Sequence, residues 1–137
     1  MRLVIDTNVL VAALLHPGRT PDRALEAVFV GAHVVVYDAR ILAEYRDVFS
    51  RKKFRAIETS RTDALLARLL AAGEDVGTVA RHAGTLIDDD DRVFVEVALE
   101  GRADAIVTGN AKHFPLDLGI EVLSPAVLCV RLVGETG

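Results

Sequence analysis

The chain has 137 residues, enough for one domain with a full hydrophobic core, and its apolar (51%) and charged (26%) fractions are those of ordinary globular material. A net charge of −4 gives no global basic character of the kind that announces a nucleic-acid binder, and the longest apolar run, residues 9–15, is too short to span a bilayer. One cysteine, Cys129, allows no intramolecular disulfide, and Asp6 interrupts the start where a signal peptide would build its apolar region, so a reducing cytoplasm is the expected setting.

Residues 1–137 read as a single domain without repeats or low-complexity linkers. Arg2 to Ile5 is a short apolar strand, and residues 8–15 the helix that follows it. His16-Pro17-Gly18 stops that helix; Thr20-Pro21 opens another, with Pro21 suited to the first turn, running to about Val30 and ending at Gly31. Residues 33–37 are a second β-branched run. Asp38 then stands as the N-cap of a helix in which Ile41, Leu42, Tyr45, Val48 and Phe49 recur at helical spacing. Residues 62–72 are predicted helical, with Leu65, Leu66, Leu69 and Leu70 on one face and Gly73 as the stop. Residues 74–86 are irregular, with a short strand expected near 76–79. A helix over 91–100 ends at Gly101, strands follow at 105–108 and 121–123, and residues 125–132 form the last helix. Short apolar strands separated by helices predict an α/β fold, a three-layer α/β/α sandwich around a central, mainly parallel sheet.

Four places put acidic or amide side chains where such a sheet has its carboxyl edge, which is where open α/β sheets collect ligands. Asp6 directly follows the first strand. Glu44 lies on the helix after the second, six residues past Asp38. Asp88-Asp89-Asp90-Asp91 precedes a helix, and Asn110 comes just after the strand at 105–108. If these segments converge, their oxygens make a pocket for a hard dication such as Mg²⁺ or Mn²⁺. Each residue also has an ordinary structural role. Asp6 can cap a helix, Glu44 can face water, the acidic run can favour a helix N-terminus, and Asn110 can shape a turn. Four adjacent carboxylates repel one another, however, and a cap needs only one. The joint placement is what points to chemistry.

Arg51, Lys52, Lys53 and Arg55 form the densest basic patch, with Arg61 beyond it: a solvated helix end or a track for phosphates. With no Trp, five Phe and two Tyr, mostly at core-like spacing, an aromatic stacking platform has little support. Phosphate contacts and shape would then dominate binding, and affinity would fall steeply with salt. His16, His33, His82 and His113 lack the spacing of a zinc site, and no GxxxxGK phosphate loop is present.

Leu3-Val4-Ile5-Asp6-Thr7-Asn8-Val9-Leu10, Ile41-Leu42-Ala43-Glu44-Tyr45, the Asp88 to Asp91 run with Phe94 and Ala98, and Ala105-Ile106-Val107-Thr108-Gly109-Asn110 with Phe114 together resemble the PIN-domain nucleases. The likeness covers nearly the whole chain. Arg51-Lys52-Lys53-Phe54 and Leu123-Ser124-Pro125 look further like its VapC-like branch, the toxin components of toxin–antitoxin systems. The resemblance implies a parallel sheet with helices on both faces and hydrolysis of RNA phosphodiester bonds dependent on Mg²⁺ or Mn²⁺. It also implies an antitoxin protein that covers the acidic pocket, a homodimer, and no membrane partner.

Carried over position by position, the resemblance puts the catalytic acids on Asp6, Glu44 and Asp91. Asp6 and Asp91 would hold the principal metal ion with Asn110 in support, and Glu44 would bind it through water or orient the attacking water. Asp91 takes the third place because Phe94 and Ala98 follow at +3 and +7, with Asp90 as the alternative. Thr7, Asn8 and Thr108 would fix the carboxylates by hydrogen bonds, and Asp88 would orient the turn. Asn110 departs from the pattern, since many relatives carry Asp there; an amide oxygen ligates without charge, which weakens the expectation of a second tightly held ion. Two other readings stay open. One is a haloacid-dehalogenase-like phosphatase with Asp6 as nucleophile, although that family places a second Asp where Asn8 stands. The other is a non-catalytic domain of the same fold that binds protein or RNA.

Overall fold

A computed structural model describes residues 1–77, 89–115 and 118–133, with the side chains of Asp89 and Asp90 left aside. Among these residues the elements run β1 (Arg2–Ile5), α1 (Thr7–Leu15), α2 (Thr20–Val30), β2 (Val34–Tyr37), α3 (Ala39–Phe49), α4 (Thr59–Ala71), β3 (Gly73–Asp75), α5 (Asp89–Glu100), β4 (Ala105–Val107), β5 (Glu121–Leu123) and α6 (Pro125–Leu132). Single 3₁₀ turns lie at Lys52–Phe54 and Ala111–His113. The five strands form one all-parallel sheet in the order β3-β2-β1-β4-β5. It is the middle layer of the expected three-layer sandwich.

The central strands carry no polar side chains inward because both sheet faces are covered. Leu3, Val4, Ile5, Val35, Val36, Ala105, Ile106 and Val107 are fully buried. α5 lies against β1, β2 and β4, with Phe94, Val95, Val97 and Ala98 buried, while α2 packs on both α1 and α6. Among the described residues no helix is long and apolar enough to cross a membrane.

The strand order places the site. From β1 the chain winds outward to β2 and β3, then returns through α5 to β4 on the other side of β1 and continues to β5. The connections leaving β1 and β4 therefore diverge, opening a crevice at their carboxyl ends, the place where such sheets bind ligands. The ladder extends one residue past each strand. The Asp6 amide donates to the Val107 carbonyl (2.9 Å) and the Thr108 amide to the Leu123 carbonyl (2.9 Å), so Asp6 and Thr108 face each other across the crevice.

Two boundaries differ from the sequence reading. α4 begins at Thr59, three residues before the expected start, with Glu58 at its N-cap position and Thr62 already inside the helix. The third strand is Gly73–Asp75, earlier than the predicted 76–79, whose last two residues lie outside the described residues. Gly73-Glu74-Asp75 carries no β-branched or aromatic side chain. It is a strand because its backbone pairs with β2, Val35 opposite Gly73 and Tyr37 opposite Asp75. Gly73 is required by close approach: a Cβ there would stand 2.5 Å from the Tyr37 ring and 2.8 Å from the Leu69 carbonyl oxygen.

Candidate active site

Asp6 occupies the N-cap position of α1 in extended conformation, yet its side chain makes no capping hydrogen bond. Oδ2 instead accepts from the Thr108 hydroxyl (2.7 Å) and from Asn8 Nδ2 (3.3 Å). The carboxylate is 7% exposed. Burial pushes its pKa above the ordinary carboxylate value; the Thr108 hydroxyl, the nearby Thr7 and Asn8 amides and His113 draw it partly back. A helix cap would have used the free α1 amides. This carboxylate lies near the first of those amides without making a capping bond, and its hydrogen bonds go to Thr108 and Asn8 at the crevice.

Neighbouring groups brace the arrangement. Asn8 Oδ1 accepts from the Gly109 amide (3.0 Å), and the Thr108 hydroxyl accepts from the Asn110 amide (3.0 Å), so the turn after β4 is tied to the start of α1. Thr7 donates its hydroxyl to Glu44 Oε2 at 2.7 Å. Glu44, half-buried, is thus oriented by the residue next to Asp6 and is no solvated face position. Tyr45 beside it is fully buried and donates to the Ile5 carbonyl, clamping α3 to the last residue of β1. Burial, with Asp6 and Glu44 nearby, keeps that phenol protonated well above its ordinary range.

Asp91 opens the described side chains of α5. It is 14% exposed, with Oδ2 shielded from solvent and 3.9 Å from His113 Nδ1. Asp6, Glu44, Asp91 and Asn110 line one cavity of about 480 Å³, together with Asn8, His16, Arg51, Lys53 and the apolar Val11, Leu15, Val48 and Phe54. The structure thus brings the four oxygen-bearing residues together. Of the basic patch, Arg51 and Lys53 reach the cavity, and Lys53 Nζ lies 5.1 Å from the Phe54 ring centre. Lys52 and Arg55 are exposed and do not line it. Arg61 donates to the Leu14 carbonyl (2.8 Å) at the end of α1, a structural use. Asp88 and the side chain of Asp90 lie outside the described residues. A larger groove of about 710 Å³ at the amino ends of β2 and β3 has its charges paired, Arg68 with Glu26 and Glu74 with Arg2, and holds no acidic cluster.

The donor set fits a hard dication: two recessed carboxylates, a third braced beside them and an amide, all oxygen. Among the described residues no three carboxylate, imidazole or thiol groups stand together as a ready-made cage. In ligand chemistry an all-oxygen donor set matches Mg²⁺, which takes oxygen ligands and keeps several waters, and differs from the Cys and His ligands typical of zinc.

Two features escaped the sequence reading. His113 stands beside Asp91, three residues after Asn110 on the 3₁₀ turn. Arg40 links the buried carboxylates of Asp38 and Glu96, with Nε to Asp38 Oδ2 and Nη1 to Glu96 Oε1, both at 2.7 Å. The signal was present in Phe94-Val95-Glu96-Val97-Ala98: an acid inside a buried run needs a cation.

Comparison with known proteins bears on the fold and the family. The family model of the PIN domain matches residues 2–112. An uncharacterized protein of Methanocaldococcus jannaschii is 29% identical over 113 residues, covering 80% of this chain and 71% of that protein. Among solved structures, a chain in the crystal structure of VapBC2 from Rickettsia felis bound to a DNA fragment from its promoter superposes with a TM-score of 0.62 at 20% identity, covering 90% of this chain and 98% of the other. The matched residues 2–112 include Asp6, Glu44, Asp91 and Asn110, and the chain belongs to the PIN-domain family.

Proposed function

We propose that this protein is a metal-dependent endoribonuclease and the toxin of a toxin–antitoxin pair. The observation that carries the reading is the position of Asp6: a recessed carboxylate at a helix start that declines to cap and shares a cavity with Glu44, Asp91 and Asn110. Asp6 and Asp91 would hold Mg²⁺ or Mn²⁺, with the Asn110 amide oxygen adding a neutral donor. Bound divalent ions activate water, shield the phosphate and stabilise the leaving oxygen. The protein's own part is positioning. Thr108 and Asn8 hold Asp6, and Thr7 holds Glu44 at the wall of the same cavity. Arg51 and Lys53 anchor phosphates flanking the scissile bond, and the apolar wall of Val11, Leu15, Val48 and Phe54 limits water around it.

The phosphatase alternative needs a carboxylate at position 8. Asn8 instead donates to Asp6 and accepts from Gly109, so it serves as a brace between two loops. The similarity to a VapBC2 chain supports an antitoxin partner, which would close the cavity with a basic side chain against the acids; a second copy of this chain is a further expected partner.

The test is incubation of purified protein with structured and single-stranded RNAs in Mg²⁺, Mn²⁺ or EDTA, beside Asp6→Asn, Glu44→Gln and Asp91→Asn. Cleavage that needs metal and is lost in each variant supports the reading. Cleavage that survives EDTA or all three substitutions refutes it, and bound metal without cleavage across diverse RNAs makes the domain a binding scaffold.

A further inference from the structure

The acids of the cavity ride on separate elements, Glu44 on α3 and Asp91 on α5, so their separation depends on how the two helices are tied. Arg40 is such a tie. Its guanidinium donates Nε–H to Asp38 Oδ2 and Nη1–H to Glu96 Oε1, each at 2.7 Å. Asp38 uses its other oxygen to cap α3, accepting the Ile41 amide at 3.0 Å, and Glu96 belongs to α5. Both carboxylates are withdrawn from water, 4% and 1% exposed, while the Arg40 side chain is 41% exposed. One planar cation thus joins the start of α3 to the middle of α5. The distances along the helices are short. Glu44 is one turn beyond Arg40, about 6 Å along the axis, and Asp91 is five residues before Glu96, about 7.5 Å.

We infer that Arg40 is a positioning residue that sets the spacing between Glu44 and Asp91 by locking α3 to α5 through Asp38 and Glu96. The inference rests on the metal-site reading above. Stability alone is a poor account of the arrangement, because buried ion pairs exchanged for apolar side chains of similar size commonly leave a protein as stable or more so. Geometry is what the pair supplies. A guanidinium spans two carboxylates with fixed directions, whereas an ammonium is a point charge on a flexible stem.

The experiment measures Mn²⁺ binding to the RNA-free protein, by loss of the free-ion paramagnetic resonance signal, in wild type, Arg40→Lys and the double variant Arg40→Met/Glu96→Leu. The first keeps the charge and loses the two-way geometry. The second keeps the helices packed and removes the tie, and it carries the test if Arg40→Lys does not fold. Both are expected to bind Mn²⁺ about tenfold more weakly, the lower end of what supporting groups contribute to metal affinity. The Mg²⁺ concentration for half-maximal cleavage rises by a similar factor, with KM for RNA at saturating metal unchanged. Arg68→Lys, altering the distant pair with Glu26, binds Mn²⁺ as wild type does. Wild-type Mn²⁺ affinity in either folded variant overturns the inference alone. A wild-type protein that binds no Mn²⁺ overturns the metal-site reading and this inference with it.

Discussion

Tyr45→Phe isolates one hydrogen bond that joins two acid-bearing elements. The ring is fully buried, and its hydroxyl donates to the Ile5 carbonyl, one residue before Asp6, while Glu44 precedes Tyr45 on α3. Phe keeps the ring and its packing and leaves the Ile5 carbonyl without that donor. Removing one partner of a buried hydrogen bond costs about 1–2 kcal/mol. For a chain of 137 residues the unfolding entropy is about 0.3 kcal/mol per kelvin, so the Tm falls by about 3–7 °C. Calorimetry and urea unfolding of the metal-free protein would measure this, with the m-value unchanged because the surface exposed on unfolding is the same. Burial also keeps the Tyr45 phenol protonated, so it contributes no phenolate absorbance in alkali until the fold opens. A Tyr45→Phe protein with wild-type Tm and m-value would refute the claim that this bond secures the end of β1.

Metal should stabilise the fold by mass action: Mn²⁺ at a hundredfold above its Kd adds about 2.7 kcal/mol, about 9 °C by the same entropy, and Asp6→Asn should abolish most of that shift in a thermal scan. Without metal, the raised Asp6 pKa means that the native chain binds more protons than the unfolded one in the interval above 3.8. Stability should therefore fall as pH rises through that interval, and Asp6→Asn should flatten this part of a stability–pH curve. Gly73→Ala drives a Cβ against the Tyr37 ring and the Leu69 carbonyl and should cost about 1–3 kcal/mol by urea unfolding; an unchanged midpoint would mean that β3 is not held where described. Arg51→Gln and Lys53→Gln should each weaken RNA binding and reduce the salt slope by about one, while Lys52→Gln and Arg55→Gln, outside the cavity, should do less in a fluorescence titration.

The sequence was most legible where local chemistry and tertiary role coincide. The β-branched run before Asp6 is a strand, and Asp38 caps α3 through the Ile41 amide as its position implied. Gly73 was read only as a helix stop because its second duty, admitting the Tyr37 ring, depends on a strand pairing that three residues without β propensity do not announce. Asp6 and Asn110 stood out in the sequence because each follows a strand, whereas Glu44, in the middle of α3, took its catalytic place only through the family resemblance. Arg40 was missed. On a helix start it looks like a solvated cation, and only the fold brings Glu96 from 56 residues away to face it. The basic patch divided in the same way: adjacency in sequence grouped four cations, and the 3₁₀ turn at Lys52–Phe54 sends Lys53 toward the acids while Lys52 stays outside.

The donors of the cavity come from positions 6, 44, 91 and 110, and no stretch shorter than about three quarters of the polypeptide contains them all. During translation the last of them leaves the ribosome only after the first three are already exposed. The cavity is therefore complete only when β4 is paired beside β1.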